Sequence, residues 1–65
     1  MLKAVKMIIG RKVVQRKAPL VATSREVYEM TGKRLTVQLD EAAVLERRGV
    51  LIVGKTFNNF YYKIV

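Results

Sequence analysis

The sequence predicts a small α+β domain of about three helices followed by a C-terminal β-hairpin. Three observations lead there. Apolar residues at Leu2, Val5, Ile9 and Val13 recur at spacings of three and four, one stripe of an amphipathic helix. Thr23-Ser24-Arg25-Glu26 has the spacing of a capping box, with Gly32 placed to end the short helix behind it. Residues 50–65 are two β-rich runs around a connector full of turn residues. With 65 residues and no repeat, low-complexity tract or linker, the chain reads as one domain over residues 1–65.

The first helix is expected over residues 2–17. Its stripe leaves Lys3, Lys6, Arg11, Lys12 and Arg16 largely on the other side. Gly10 costs such a helix about 1 kcal/mol relative to alanine. The rival is a hairpin turning at Gly10-Arg11-Lys12 between the β-branched pairs Ile8-Ile9 and Val13-Val14. Pro19 stops the helix near Lys17, and Leu20-Val21-Ala22 is short and extended. The second helix runs over 24–31, with Thr23 as N-cap and Val27, Met30 and Tyr28 as its apolar positions.

A third helix is expected over about 35–48, with Leu35, Leu39, Ala42 and Leu45 on one face and Thr36, Asp40 and Arg47 roughly opposite. Residues 34–39 also alternate polar and apolar like a strand, in which case Asp40 caps a shorter helix from Glu41 to Arg48. Both readings end at Gly49. The hairpin, over 50–65, pairs Val50-Leu51-Ile52-Val53 with Phe60-Tyr61-Tyr62-Lys63-Ile64-Val65 across Gly54-Lys55-Thr56-Phe57-Asn58-Asn59.

Composition excludes much chemistry. The chain has no cysteine and no histidine, so disulfides, Cys/His metal sites and histidine-dependent acid–base or triad catalysis are out. Glu26 and Glu29 sit three apart on one helix without a nucleophile or metal set beside them, and capping and surface charge account for both. Met1, Met7 and Met30 read as core fillers. The expectation is a non-enzymatic module with no cofactor and no small-molecule substrate. A 51% apolar content is too high for disorder despite a net charge of +8. Met1 to Ile9 is apolar, but Lys3 and Lys6 interrupt it and Gly10-Arg11-Lys12 follows with no small-residue cleavage site. It is also shorter than the roughly 20 residues of a membrane span. The expected place is intracellular, in the cytoplasm or nucleoid, or in the host cell for a viral protein; a structural viral protein is expected in the virion.

The charges are segregated. Residues 1–25 carry Lys3, Lys6, Arg11, Lys12, Arg16, Lys17 and Arg25 without an acid; all five acids (Glu26, Glu29, Asp40, Glu41 and Glu46) are central; and Arg47, Arg48, Lys55 and Lys63 follow, again without an acid. A fold that joins the two ends presents a nearly unopposed positive surface, for which nucleic acid is the commonest partner. The alternative is that the cations keep a small apolar domain soluble.

The residues 23–32, Thr23-Ser24-Arg25-Glu26-Val27-Tyr28-Glu29-Met30-Thr31-Gly32, with Leu45-Glu46-Arg47-Arg48-Gly49-Val50-Leu51-Ile52 and Phe60-Tyr61-Tyr62-Lys63-Ile64, stand in an order that resembles the winged helix-turn-helix DNA-binding domains. They are similar to that family's turn-helix element, the end of its recognition helix and the returning strand of its wing. The chain departs from the pattern at Tyr28, where the family places a small residue, at Lys33, where it places an apolar one, and at Gln38, where the family's recognition helix normally anchors in the core. The resemblance implies a small transcriptional regulator binding double-stranded DNA through its third helix and hairpin wing, often as a homodimer on a two-fold site. A competing resemblance rests on Gly32-Lys33-Arg34-Leu35-Thr36-Val37 with Ala42, Leu45 and Gly49. It is to small phage β–β–α–β virion and morphogenesis modules, and implies a structural protein docking on an acidic protein surface.

On the winged-helix resemblance, base contacts fall to Arg34, Thr36 and Gln38, since Arg can pair with guanine and Gln with adenine; Asp40 is weaker, being an N-cap candidate. Phosphate contacts fall to Arg25 in the first turn of the second helix, to Lys33, and to Lys55, Thr56, Asn58 and Asn59 at the hairpin tip. Asn and Gly at the tip also serve to make the turn. Phe57, Phe60, Tyr61 and Tyr62 cluster near Lys55 and Lys63 in the manner of a single-strand stacking platform, though strand alternation sends one face of the cluster into the core.

Overall fold

The computed structural model describes residues 1–65 as three helices and a three-stranded antiparallel sheet. Helix α1 spans Leu2–Gln15, strand β1 Ala22–Thr23, helix α2 Ser24–Thr31 and helix α3 Leu35–Arg47, followed by strands β2 Leu51–Lys55 and β3 Phe60–Ile64. Strand β3 lies between β1 and β2. Its central residue Tyr62 faces Ala22 on one side and Val53 on the other. The core is small: Val5, Ile8, Ala22, Val27, Ala42, Leu51 and Tyr62, with Met1, Leu2, Ile9, Met30, Leu45, Val53 and Ile64 packed around it.

Helix α1 passes straight through Gly10, so the rival hairpin does not form. It stops at Gln15, two residues before the expected Lys17. Arg16 takes the left-handed conformation (φ 55°), while the Arg16 N–H donates to Val13 O and the Lys17 N–H to Lys12 O. Those two bonds are a Schellman closure, here made without glycine. The buried line on α1 is Ala4, Val5 and Ile8, rotated from the expected stripe. Val13 and Met7 are exposed, correcting their assignment to the core. The last turn of α1 meets the rest of the fold through Lys12, which bonds to Val21 O and Glu26, and Val13 is left facing outward.

A Cβ at Gly10 would meet nothing within 4 Å. Gly10→Ala is therefore expected to stabilise the protein by about 1 kcal/mol through helix propensity alone. A rise in the urea midpoint at constant slope would record it; an unchanged or lower midpoint would contradict it.

The capping box forms as the sequence anticipates. The Glu26 N–H donates to Thr23 Oγ1 at 3.2 Å and the Thr23 N–H donates to Glu26 Oε1 at 3.0 Å. Gly32 ends α2 at φ 72°, and Thr31 Oγ1 ties the exit by donating to Val27 O and accepting the Lys33 N–H. Residues 35–39 are helical, which settles the ambiguous stretch. On α3 the buried positions are Gln38 and Ala42, with Leu39 and Leu45 half-buried and Leu35 exposed, so the apolar face is narrower than Leu35-Leu39-Ala42-Leu45 suggests. Gly49 (φ 74°) closes α3.

Strand β2 continues through Gly54 and Lys55, which the sequence pattern assigns to the connector. The Tyr61 ring lies across Gly54, its cross-strand neighbour, in the space a Cβ there would occupy. That close approach is why a glycine is tolerated inside the strand.

Candidate nucleic-acid interface

Three of the thirteen cations lie within ion-pair distance of a side-chain acid: Lys12 with Glu26 at 2.7 Å, Arg25 with Glu29 at 3.3 Å and Lys33 with Glu41 at 2.8 Å. Ten cations are left, against two acids, Asp40 and Glu46, outside any ion pair. The excess positive charge therefore sits on α1, at the start and end of α3 and on the hairpin.

The three pairs differ in kind. Lys12 is mostly buried and structural: its Nζ donates to Val21 O at 2.6 Å as well as to Glu26, tying α1 to β1 and to the cap of α2. Partial burial opposes ionisation of Glu26, but hydrogen bonds from Lys12 and Thr23 outweigh it and hold the carboxyl below its ordinary pKa. Glu41 is likewise lowered, by the Lys33 hydrogen bond against partial burial and with help from the N-terminal ammonium 3.5 Å away. Arg25–Glu29 is a solvated i,i+4 pair on α2, which a phosphate can displace at small cost.

The expected contact residues fare unequally. Gln38 is 1% exposed and cannot reach a base edge, which corrects its assignment as a base contact. Its Nε2 donates to Ser24 O at 3.1 Å and Lys33 O at 2.8 Å, and its Oε1 accepts the Tyr62 hydroxyl at 2.8 Å. An amide buried on the inner side of a helix is retained because all these polar atoms are satisfied by it. Arg34 is exposed and without an acidic partner, but it is the N-cap of α3 rather than part of its outer face. Thr36 is exposed on that face. Lys33 is half-exposed with both Glu41 oxygens bonded to its ammonium, so a phosphate would have to compete for it.

At the hairpin tip, Lys55 is exposed with its ammonium 5.4 Å from the Phe60 ring centroid. The Thr56 hydroxyl is occupied in building the turn, donating to Asn59 O and accepting the Asn59 N–H. The side chains of Asn58 and Asn59 are exposed. Tyr61 and Tyr62 divide between the two faces of the sheet, and Tyr62 is fully buried, so the aromatic residues do not form one platform.

Two features go beyond the roles the sequence assigned. The outer face of α3 comprises Thr36, Asp40, Ala43 and Arg47 at spacings of four, three and four, flanked by the exposed Val37 and Val44. The sequence already sets Thr36, Asp40 and Arg47 on this face, and counting at helical period adds Ala43 between them. Phe57 is the other: at 97% exposure it projects wholly into solvent.

Comparison with protein-family models, with curated proteins and with solved structures finds no match. No helix is long and apolar enough to cross a membrane.

Proposed function

We propose that this chain is a winged-helix module that binds duplex DNA as a small, cofactor-free transcriptional regulator inside the cell, α3 lying in the major groove and the hairpin reaching a neighbouring groove. The observation that carries the reading is the surplus of ten unpaired cations over two unpaired acids, placed on a fold whose third helix and hairpin tip keep their outer sides free. The element order, and the sheet order with β3 between β1 and β2, supports it as well. On this reading Arg34, Arg25 and Lys55 meet phosphates, and Thr36 and Ala43 of the outer face of α3, with the flanking Val37 and Val44, meet thymine methyl groups. A homodimer, where it forms, avoids α1, since two copies joined there would oppose Lys3, Lys6, Arg11, Arg16 and Lys17 with their own kind.

Fluorescence anisotropy of a labelled duplex across a salt series tests the proposal. A log–log slope of several units is expected, falling by about 2 in the Arg34→Ala/Lys55→Ala variant at roughly 0.9 for each phosphate no longer neutralised. Weak binding at low salt, indifferent to both substitutions, would refute it. The second reading, a virion protein docked on an acidic protein surface, would then take its place. That reading draws on the apolar Val37, Ala43 and Val44 of α3.

A further inference from the structure

We infer that Phe57 is a wedge: the hairpin tip inserts this ring between stacked base pairs from the minor groove and kinks the duplex. The inference rests on the DNA-binding reading above and adds to it a deformation of the DNA. Phe57 is 97% exposed, while the core of this small protein holds a single aromatic side chain, Tyr62. Phe57 is the most exposed of the large apolar side chains, so it has the most apolar surface to gain from a partner that covers it.

The tip holds the ring outward rather than letting it collapse. The Thr56 N–H donates to Asn59 O at 2.7 Å, and the Thr56 hydroxyl bonds to the Asn59 backbone on both its donor and acceptor sides. Three bonds across four residues make a closed turn with Phe57 at its apex. The nearest cation, Lys55, is drawn to the Phe60 ring.

The surroundings choose the occupant. A protein-docking patch is a broad apolar area, whereas here one ring stands alone among the polar Thr56, Asn58 and Asn59. An intercalating wedge requires only one apolar side chain. Lys55 stands beside the tip, the hairpin carries no acid of its own, and Glu46 touches it only at Val53, four residues before Phe57. The exposed Asn58 beside Phe57 can donate to the acceptors that line the minor groove.

The protein has no tryptophan, so Phe57→Trp places a single reporter at the apex. Acrylamide quenching of the introduced indole would be measured free and bound to a duplex labelled at both ends, with energy transfer between the ends reading the bend. Insertion predicts that DNA quenches the indole, shields it from acrylamide and shortens the end-to-end distance. Phe57→Ala should lose the bend and bind about tenfold more weakly, as loss of one stacking side chain does. Its salt slope should be unchanged, because no charge is removed. Binding with the full salt slope, but with the indole as open to acrylamide as before and the bend kept in Phe57→Ala, would overturn the wedge and leave DNA binding standing. A Phe57→Ala variant that instead dissociates a dimer in sedimentation would assign the ring to self-contact and overturn it equally. Absence of salt-dependent binding would remove the DNA reading and the wedge together.

Discussion

Gln38→Leu is expected to lower stability by about 3 kcal/mol, the largest loss from any single substitution proposed for this chain. Leucine keeps the volume roughly and removes all the hydrogen bonds. Ser24 O and Lys33 O then lose a donor and the Tyr62 hydroxyl loses its acceptor. Each unsatisfied buried polar group costs about 1–3 kcal/mol, and a core in a chain of this length supplies only roughly 3–5 kcal/mol. Urea unfolding followed by circular dichroism should show a protein at the margin of folding at 25 °C.

Tyr62→Phe isolates one bond of the set and should cost about 1 kcal/mol, by leaving Gln38 Oε1 unpaired. The double variant should lose less than the two single losses added, since it removes both partners of that bond. Full additivity would show that Gln38 and Tyr62 act separately. The same bond has an alkaline limit. Burial raises the Tyr62 pKa above its ordinary 10.0, so its contribution is present below pH 10 and is lost as pH rises through the raised value.

The second large effect is expected at Glu26. Its Oε1 accepts from Lys12 Nζ, from the Thr23 N–H and from the Thr23 hydroxyl, so one carboxylate closes the cap of α2 and pins α1 against it. Glu26→Ala removes half of the capping box, a loss of about 1 kcal/mol. It also leaves the partly buried Lys12 ammonium with Val21 O alone, for about 2 kcal/mol in all. Thr23→Ala, which spares the Lys12–Glu26 bond, should cost about half as much. Equal losses in the two variants would mean that the tie to α1 contributes nothing.

Acid should act on the same group. A carboxyl whose pKa lies lower in the fold than in the unfolded chain adds stability above its ordinary 4.5 and gives it up as pH falls through the depressed value. Glu26 and Glu41 share that direction, so the melting temperature should fall on acidification below pH 4.5. The fall should be shallower in Glu26→Ala, which has lost one of the two groups. An acid limb identical to wild type would exclude Glu26 as a contributor.

Local chemistry was readable along the chain wherever the deciding residues are neighbours. Thr23 and Glu26 are three residues apart and need only their own backbone to cap a helix. Gly32 and Gly49 end helices through their own φ angles. The hairpin comes from β-rich runs on either side of a polar turn, and the absence of histidine and cysteine needs no structure to exclude the chemistries that depend on them. The segregation of charge was equally plain, because it is a property of order alone.

What could not be read depends on residues far apart. Residues 34–39 fit a strand and a helix equally by pattern. Their helix is tied in place by Gln38, which bonds to Ser24 fourteen residues away and to Tyr62 twenty-four residues away. The same contacts turned a supposed base-reading side chain inward. Lys33 looked free until the fold brought Glu41 to it, and Phe57 looked like part of an aromatic cluster until the fold left it wholly in solvent. Periodicity states which residues share a face, but not which face finds a neighbour. That follows from the packing of the whole chain, because a polar side chain is buried only where distant partners arrive to satisfy it.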